Sequence, residues 1–469
     1  MKTNAIKKTL KRKINLYCVL LTLLLLGCTG STENKPNQFN DITEQIEKNP
    51  SHKRYGVATT LINSKPAAFV TGFGGPNQLL TWQDGTLQDI TPDELKDPES
   101  DAIGAAWCDI DQDGDEELYV LTTDTYGGKK RFSDKLYDKT PRGWIDRFEN
   151  SDVPNRFAGR SVACTHTPSG PAFFVARYGG PMQLITYQNG SLKDIAPRHG
   201  MDRVTGGRSI INIPTENGVD IFVGNERGPN FYYQRQNNTY QEIAQSLGVD
   251  DPYQNARGVD ILDLQQDNSF DIVLGNWEGP HRLYKQKDNG YEDIAPSALQ
   301  TPTPIRSVIA ADFNNDGVEE LFLNNIGAPN SYHEANGTAI PLQSAREPNG
   351  LGTGATTADF NQDGKLELLI AHGETGAQPL TLYQPNTEKP GVQLRIFDAN
   401  GAPARNARVE IRGKGVYAVD GGSAYLNQMS PEIHVGGTPP LQVKVTYPDG
   451  TTLNKTVQNR TSTITPQDG

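Results

Sequence analysis

The chain has 469 residues and a formal net charge of −12, with 44 Lys and Arg against 56 Asp and Glu. That balance argues against a nucleic-acid partner, which needs clustered basic side chains, and the length exceeds one ordinary domain. With 47 glycines and 31 prolines, many turns and short strands are expected rather than long helices.

Residues 1–27, "MKTNAIKKTLKRKINLYCVLLTLLLLG", carry a basic start and a short apolar run from Leu16 to Leu26. The run is short for a membrane span and reads as a secretion signal. "LLGC" resembles the lipobox of bacterial lipoproteins, which implies cleavage before Cys28 and lipidation of that cysteine. Thr29, in place of Asp, implies by the same resemblance an exported lipoprotein of the outer membrane or cell surface. Residues 28–37 are then a polar tether. Two cysteines remain, Cys108 and Cys164. Export allows a disulfide between them, and two small buried thiols are the alternative.

Residues 38–385 are repetitive. "GGPNQLLTWQDGTLQDIT" (74–91) recurs as "GGPMQLITYQNGSLKDIA" (179–196), "RGPNFYYQRQNNTYQEIA" (227–244) and "EGPHRLYKQKDNGYEDIA" (278–295). Pro181, Pro229, Pro280 and Pro329 are spaced by 48, 51 and 49 residues. Each unit reads as four short strands, the signature of a propeller blade. Starts near Gly56, Gly104, Arg160, Arg208, Arg257, Arg306 and Gly354 predict an all-β, seven-bladed β-propeller. The seventh unit stops after "PLTLYQ" (379–384) and lacks a last strand, whereas "QFNDIT" (38–43) stands unclaimed. The N-terminal strand is therefore expected to close the last blade and remove two exposed sheet edges.

Four turns between first and second strands place oxygen side chains at alternate positions. They are Asp109, Asp111, Asp113, Asp115 and Glu117; Asp263, Gln265, Asp267 and Asp271; Asp312, Asn314, Asp316 and Glu320; and Asp359, Asn361, Asp363 and Glu367. Gly or Asn at the sixth position tolerates positive φ. An EF-hand needs a carboxylate at position twelve, where Val120, Leu274, Leu323 and Ile370 stand instead. Oxygen-only ligands on a flexible loop suit Ca²⁺ rather than zinc. Up to four structural Ca²⁺ sites are expected, the Asp109 loop the strongest and the Gln265 loop the weakest.

The repeat and its acidic turns resemble the FG-GAP/VCBS repeats of integrin-type propellers. "NARVEI" (406–411), "GSAYLNQ" (422–428), "IHVGG" (433–437) and "VKVTYPDG" (443–450) resemble, in the same order, the motifs of an ASPIC/UnbV domain, with Tyr447 where that domain usually has Trp. Together these resemble the cartilage acidic protein family. The resemblance implies a small β domain over 386–469 and extracellular binding or adhesion.

Arg160, Arg208, Arg257 and Arg306 recur at spacings of 48, 49 and 49 at the start of first strands. That placement puts them at a central channel, beside turns carrying Asn77, Asn230, His281 and Asn330. Guanidiniums there can take a carboxylate or sulfate, or can pair with acids and stiffen the ring. The seven histidines form no metal-binding spacing, and no nucleophile elbow or phosphate loop occurs. A monomeric binding module for protein or glycan, touching membrane only through its lipid, is the leading reading. A propeller carbohydrate-active enzyme, lyase or hydrolase, is the alternative.

Overall fold

The computed structural model describes residues 38–421 and 423–468. The signal segment, Cys28 and the tether lie outside the described residues. Among the described residues strand makes up 53% and helix 4%, an all-β fold consistent with a β-propeller. No described helix is long and apolar enough to cross a membrane.

The first repeat shows how the sequence builds its sheet. Arg54–Ile62, Lys65–Gly72, Gln78–Gln83 and Thr86–Asp89 pair in order as an antiparallel meander. Asn63 and Ser64 connect the first two strands with φ of 51° and 61°, the primed geometry whose twist matches the strands it joins. Burial falls outward. Seven of the eight residues of Lys65–Gly72 are buried, while Thr86–Asp89 buries only Leu87. An inner strand covered on both faces must be apolar throughout, and "PAAFV" is.

The same order recurs in meanders beginning with Ala102–Cys108, Gly159–Thr167, Val204–Thr215, Ala256–Leu262 and Ile305–Ala311. The last begins with Gly352–Ala358 and continues through Glu367–His372 and Thr381–Pro385. Its fourth strand is Phe39–Asp41, with Phe39 opposite Pro385 and Asp41 opposite Tyr383. Phe39 is fully buried, its ring edge-on to Phe313, Tyr332 and Phe322 at 5.2, 5.4 and 6.1 Å. Each first strand packs on that of the next meander, and Gly352–Ala358 packs on Arg54–Ile62. Cores form between sheets, as where Val57, Val70 and Leu80 meet Phe360, Leu369 and Leu382. Cys108 and Cys164 are disulfide-bonded, joining two adjacent first strands with Cα atoms 5.3 Å apart.

Residues 391–464 add two small sheets over a shared core that includes Val392, Val409, Val435, Val445 and Ile464. They do not stand apart as a second body, because Gln38–Gly469 is one compact unit. "GSAYLNQ" leaves these sheets altogether. Ser423 and Ala424 pair with Ile211 and Ile210, while Asn427 and Gln428 pair with Val57 and Ala58. The segment is a plug running among the first strands. Glycine makes room for it: a Cβ on Gly354 would lie 2.5 Å from the carbonyl oxygens of Leu426 and Tyr55. Gln428 fixes the register, accepting from Trp107 N–H at 2.8 Å and donating to Trp107 C=O at 3.0 Å.

Candidate functional site

The four acidic turns share one backbone solution. The first aspartate accepts from the N–H groups of positions five and six: Asp109 from Asp113 and Gly114 (3.1 Å each), Asp359 from Asp363 and Gly364 (2.9 Å each). Asp263 and Asp312 repeat this. The ninth residue accepts from the N–H of position two, as Glu117 does from Ile110 and Glu367 from Phe360, both 2.8 Å. Position six has positive φ in all four, Asn268 included. So does position four, at Gln112, Gln266, Asn315 and Gln362, a second tight point that the sequence reading did not single out.

Two turns bring their ligands together. One oxygen from each of Asp109, Asp111, Asp113 and Glu117 lies within 4.8 Å of the others, and the same holds for Asp359, Asp363 and Glu367. Oxygens bound 2.3–2.6 Å from one Ca²⁺ would be separated by about that much or less, so these sets fit the ion. Burial, aided by neighbouring acids, pushes Asp109 to about 7 and Glu117 to about 9, the strain of clustered carboxylates that Arg147, 3.9 Å from Asp111, only partly offsets. Asp115, expected as a ligand, is exposed and contributes only its N–H to Asp113. The middle turns do not converge in this way. Lys285 caps Gln265, the Asn314 amide points at Glu320, and Lys389 lies 3.6 Å from Asp316.

The turns also carry the C-terminal sheets. Asp263 accepts from Val416 N–H (3.0 Å), Asp312 from Gly436 N–H (2.6 Å) and Asp359 from the Gln393 amide (3.2 Å). Arg408 donates to Asn268 C=O at 2.6 Å, and His434 bonds Asn315 at 2.6 Å. At position eight of the first turn, Glu116 is buried in an ion pair with Arg405.

At the opposite end of the first strands, the period-spaced arginines meet. Arg160, Arg208, Arg257 and Arg306 are all buried and line one pocket of about 650 Å³. Glu226 pairs with Arg208 and lies 3.4 Å from Arg257, and Glu374 pairs with Arg306. Among the described residues Arg160 has no carboxylate partner: it donates to the carbonyls of Gly159 and Tyr126, and its Nε is buried without a hydrogen bond there. The guanidiniums lie over the faces of Tyr126, Tyr178 and Trp277 at 4.1–5.9 Å. Tyr425, the tip of the plug, closes the floor. Burial brings Arg257 down to about 10, with repulsion from Arg208 adding to it. Burial raises the Tyr425 phenol, but Arg208, Arg306 and Arg257 outweigh it and leave the phenol below its usual value.

Residues 263–323 match the model of the FG-GAP-like repeat. The chain is 37% identical to cartilage acidic protein 1 of Xenopus tropicalis over 91% of this chain and 76% of that protein. Against the Homo sapiens protein of the same name the figures are 35%, 93% and 76%. The chain belongs to the cartilage acidic protein 1 family. Among solved structures it is similar to BBS1N in complex with ARL6DN, soaked with lead (TM-score 0.49, 12% identity, 74% of this chain and 97% of that one).

The arginine period thus brings four guanidiniums to one pocket, where three of them pair with acids, one of the two outcomes expected of those residues. The turn residues beside them have another role. Asn77, Asn230 and Asn330 are buried clamps, each accepting from an N–H five residues upstream and donating to a carbonyl of the next linker. His281 accepts from Asn276 N–H in the same way. They hold the turns rather than face a ligand. Tyr126, Glu226 and Trp277 share one position of the repeat with Tyr178, at spacings of 52, 48 and 51 residues, but were missed because the residue type there changes from blade to blade, and Glu374 and Tyr425 follow no such pattern. Of these last two, only the conspicuous aromatic in "GSAYLNQ" offered a signal.

Proposed function

We propose that this family member is an exported, lipid-anchored binding module: a closed seven-bladed propeller, stabilised by Ca²⁺ in its acidic turns, whose hub takes an anionic group of a protein or glycan ligand. Family membership and the FG-GAP-like repeat support an exported, adhesion-like role. The observation that carries the ligand reading is four buried guanidiniums against one buried carboxylate, Glu226, in an open, aromatic-walled pocket whose exposed rim carries Asp124, Glu278, Glu374 and Arg227. That imbalance leaves positive charge in a desolvated setting, where a carboxylate or sulfate is held by charge-assisted bonds, and aromatic faces suit a sugar ring or aromatic side chain beside it. Among the ion sites, the Asp109 and Asp359 turns load first.

The test is binding of the purified chain to arrays of carboxylated and sulfated glycans, with neutral isosteres as controls. Acidic ligands are expected to bind, and Arg160→Ala or Arg257→Ala to weaken them about 10- to 100-fold, the loss of one hydrogen bond to a charged group. Equal binding of acidic and neutral ligands overturns the reading. A second reading rests on Tyr425, whose lowered phenol is suited to proton abstraction from a bound acid. Release of new reducing or unsaturated ends from acidic polysaccharides would favour an enzyme.

A further inference from the structure

A second cavity, of about 420 Å³, lies at the other end of the first strands from the hub. There the Asp109 turn and the first hairpin of the next meander meet the C-terminal segments 398–406 and 447–451. Its volume falls within the range of small-molecule sites. Pro171, Pro403, Pro448, Pro466 and the Cys108–Cys164 disulfide give it apolar walls. Three polar atoms on its lining residues are buried without a hydrogen-bond partner among the described residues: Oγ1 of Thr165, the hydroxyl of Tyr447 and Nδ1 of His166. Thr165 is fully buried and Tyr447 is only 5% exposed. Buried hydroxyls are normally paired, and unpaired ones gathered around one ligand-sized space mark a place that a bound group satisfies.

The wall selects for positive charge. Its carboxylates are Asp109, Asp398 and Asp449. Asp398 accepts from the backbone N–H groups of Asn400, Gly401 and Ala402, and Asp449 from that of Thr451; neither has an ion-pair partner among the described residues. Arg405 is the one Lys or Arg among the lining residues, and it is already committed to Glu116 and to the carbonyls of Asp420 and Thr59. The Tyr447 phenol registers this field: burial raises it to about 12, and Asp468, Asp398 and Asp449 add to the rise. His166 brings no charge, because burial, with repulsion from Arg235 adding to it, holds its imidazole at about 4.

An ammonium group donates three hydrogen bonds and accepts none. The two hydroxyl oxygens and the neutral imidazole nitrogen can all accept, and the carboxylates supply the counter-charge. An acidic ligand, the kind proposed for the hub, is repelled here, and a neutral alcohol leaves the carboxylates unmatched. We propose that this cavity binds a protonated primary amine on an aliphatic stem. Its N–H groups are directed to the unpaired atoms of Tyr447, Thr165 and His166, and its stem lies against the prolines, as the methylenes of a lysine cover apolar surface. A free amine and the lysine of a protein share this chemistry. The site does not depend on what the hub binds.

The purified chain, in saturating Ca²⁺ and an amine-free buffer, is titrated calorimetrically with n-pentylamine and with an end-blocked peptide carrying one lysine; 1-pentanol and pentanoate are the controls. One amine per chain should bind, more weakly at high salt, and the controls should not. Tyr447→Phe and Thr165→Val each remove an unpaired hydroxyl and should weaken the amine about 10-fold or more, the loss of one bond to a charged group. Because those hydroxyls bond nothing among the described residues, the melting temperature of the amine-free variants should hold or rise, which a purely structural role would not give. Asp449→Asn, at an exposed position, should also weaken the amine. Binding of pentylamine alone assigns the site to a small amine, and binding of the peptide assigns it to a protein's lysine; both support it. No binding of either amine, equal binding of a control, or wild-type affinity in both hydroxyl variants overturns it. Should Thr165→Val not fold, Tyr447→Phe and Asp449→Asn decide the matter.

Discussion

Truncating Phe39 tests the closure on which the ring depends. In Phe39→Ala the backbone pairing of Phe39–Asp41 with Thr381–Pro385 can persist, so the loss isolates the side chain. Phe39 is fully buried and its ring meets three others edge-on at 5.2–6.1 Å. Removing such a ring costs about 3–5 kcal/mol, through lost transfer energy and the cavity left behind. At roughly 2.1 cal/mol/K per residue, the unfolding entropy of a 469-residue chain is about 1 kcal/mol/K if it melts as one cooperative unit. The melting temperature should therefore fall by about 3–5 °C in calorimetry, with a matching drop in urea midpoint. Asn40→Ala, at an exposed position of the same strand, should stay within about 0.5 kcal/mol. If the two variants melt together, the strand is not clamping the last meander and the argument for a closed ring fails.

Other outcomes are as definite. Chelation should lower the melting temperature, and an ion present at a hundred times its dissociation constant adds about 2.7 kcal/mol; Asp111→Ala should abolish the share owed to the first turn, seen as a smaller chelator shift. Reducing Cys108–Cys164, or replacing both by Ser, should cost about 4 kcal/mol for a crosslink spanning 56 residues, read from urea melts with and without reductant. Burial holds His434 down at about 3, so the unfolded chain takes up a proton there that the folded chain refuses. Stability is then complete above about pH 6.5 and is lost as pH falls through the window down to about 3; melts at pH 7, 6 and 5 should show a shallower decline in His434→Gln.

What the sequence made legible was what repeats. Strand order, the missing last strand and its N-terminal substitute, the acidic turns and the arginines all follow a period near 49 residues, and a period is visible without coordinates. What it hid was what one repeat does to another. Asn77 and its equivalents share that period, yet a buried clamp and an exposed ligand contact have the same spacing, and only burial separates them. Glu226 reaches arginines of two meanders, and Glu374 reaches Arg306 across 68 residues. The plug was hidden for a different reason. "GSAYLNQ" has ordinary strand composition, and nothing local says that its pairing partners lie near residues 57 and 210 rather than in its own domain.

That plug joins the two ends of the molecule. The first strand of a repeat runs from its arginine to its acidic turn, as Ile305–Ala311 runs from Arg306 to Asp312, a span of about 20 Å at 3.3 Å per residue. The turns hold the C-terminal sheets through Asp263, Asp312 and Asp359, and those sheets send Tyr425 back through the hub to the arginines. Asp359, whose turn does bring its carboxylates together, accepts bonds both from that turn and from the Gln393 amide, so an ion bound there would also order a group of the C-terminal sheets. Linkage then works in both directions: a hub ligand that favours the seated plug must raise ion affinity by the factor by which the ion raises ligand affinity. Equal ion affinity in the free and ligand-bound protein would show that the plug is a rigid strut and that the two ends do not communicate.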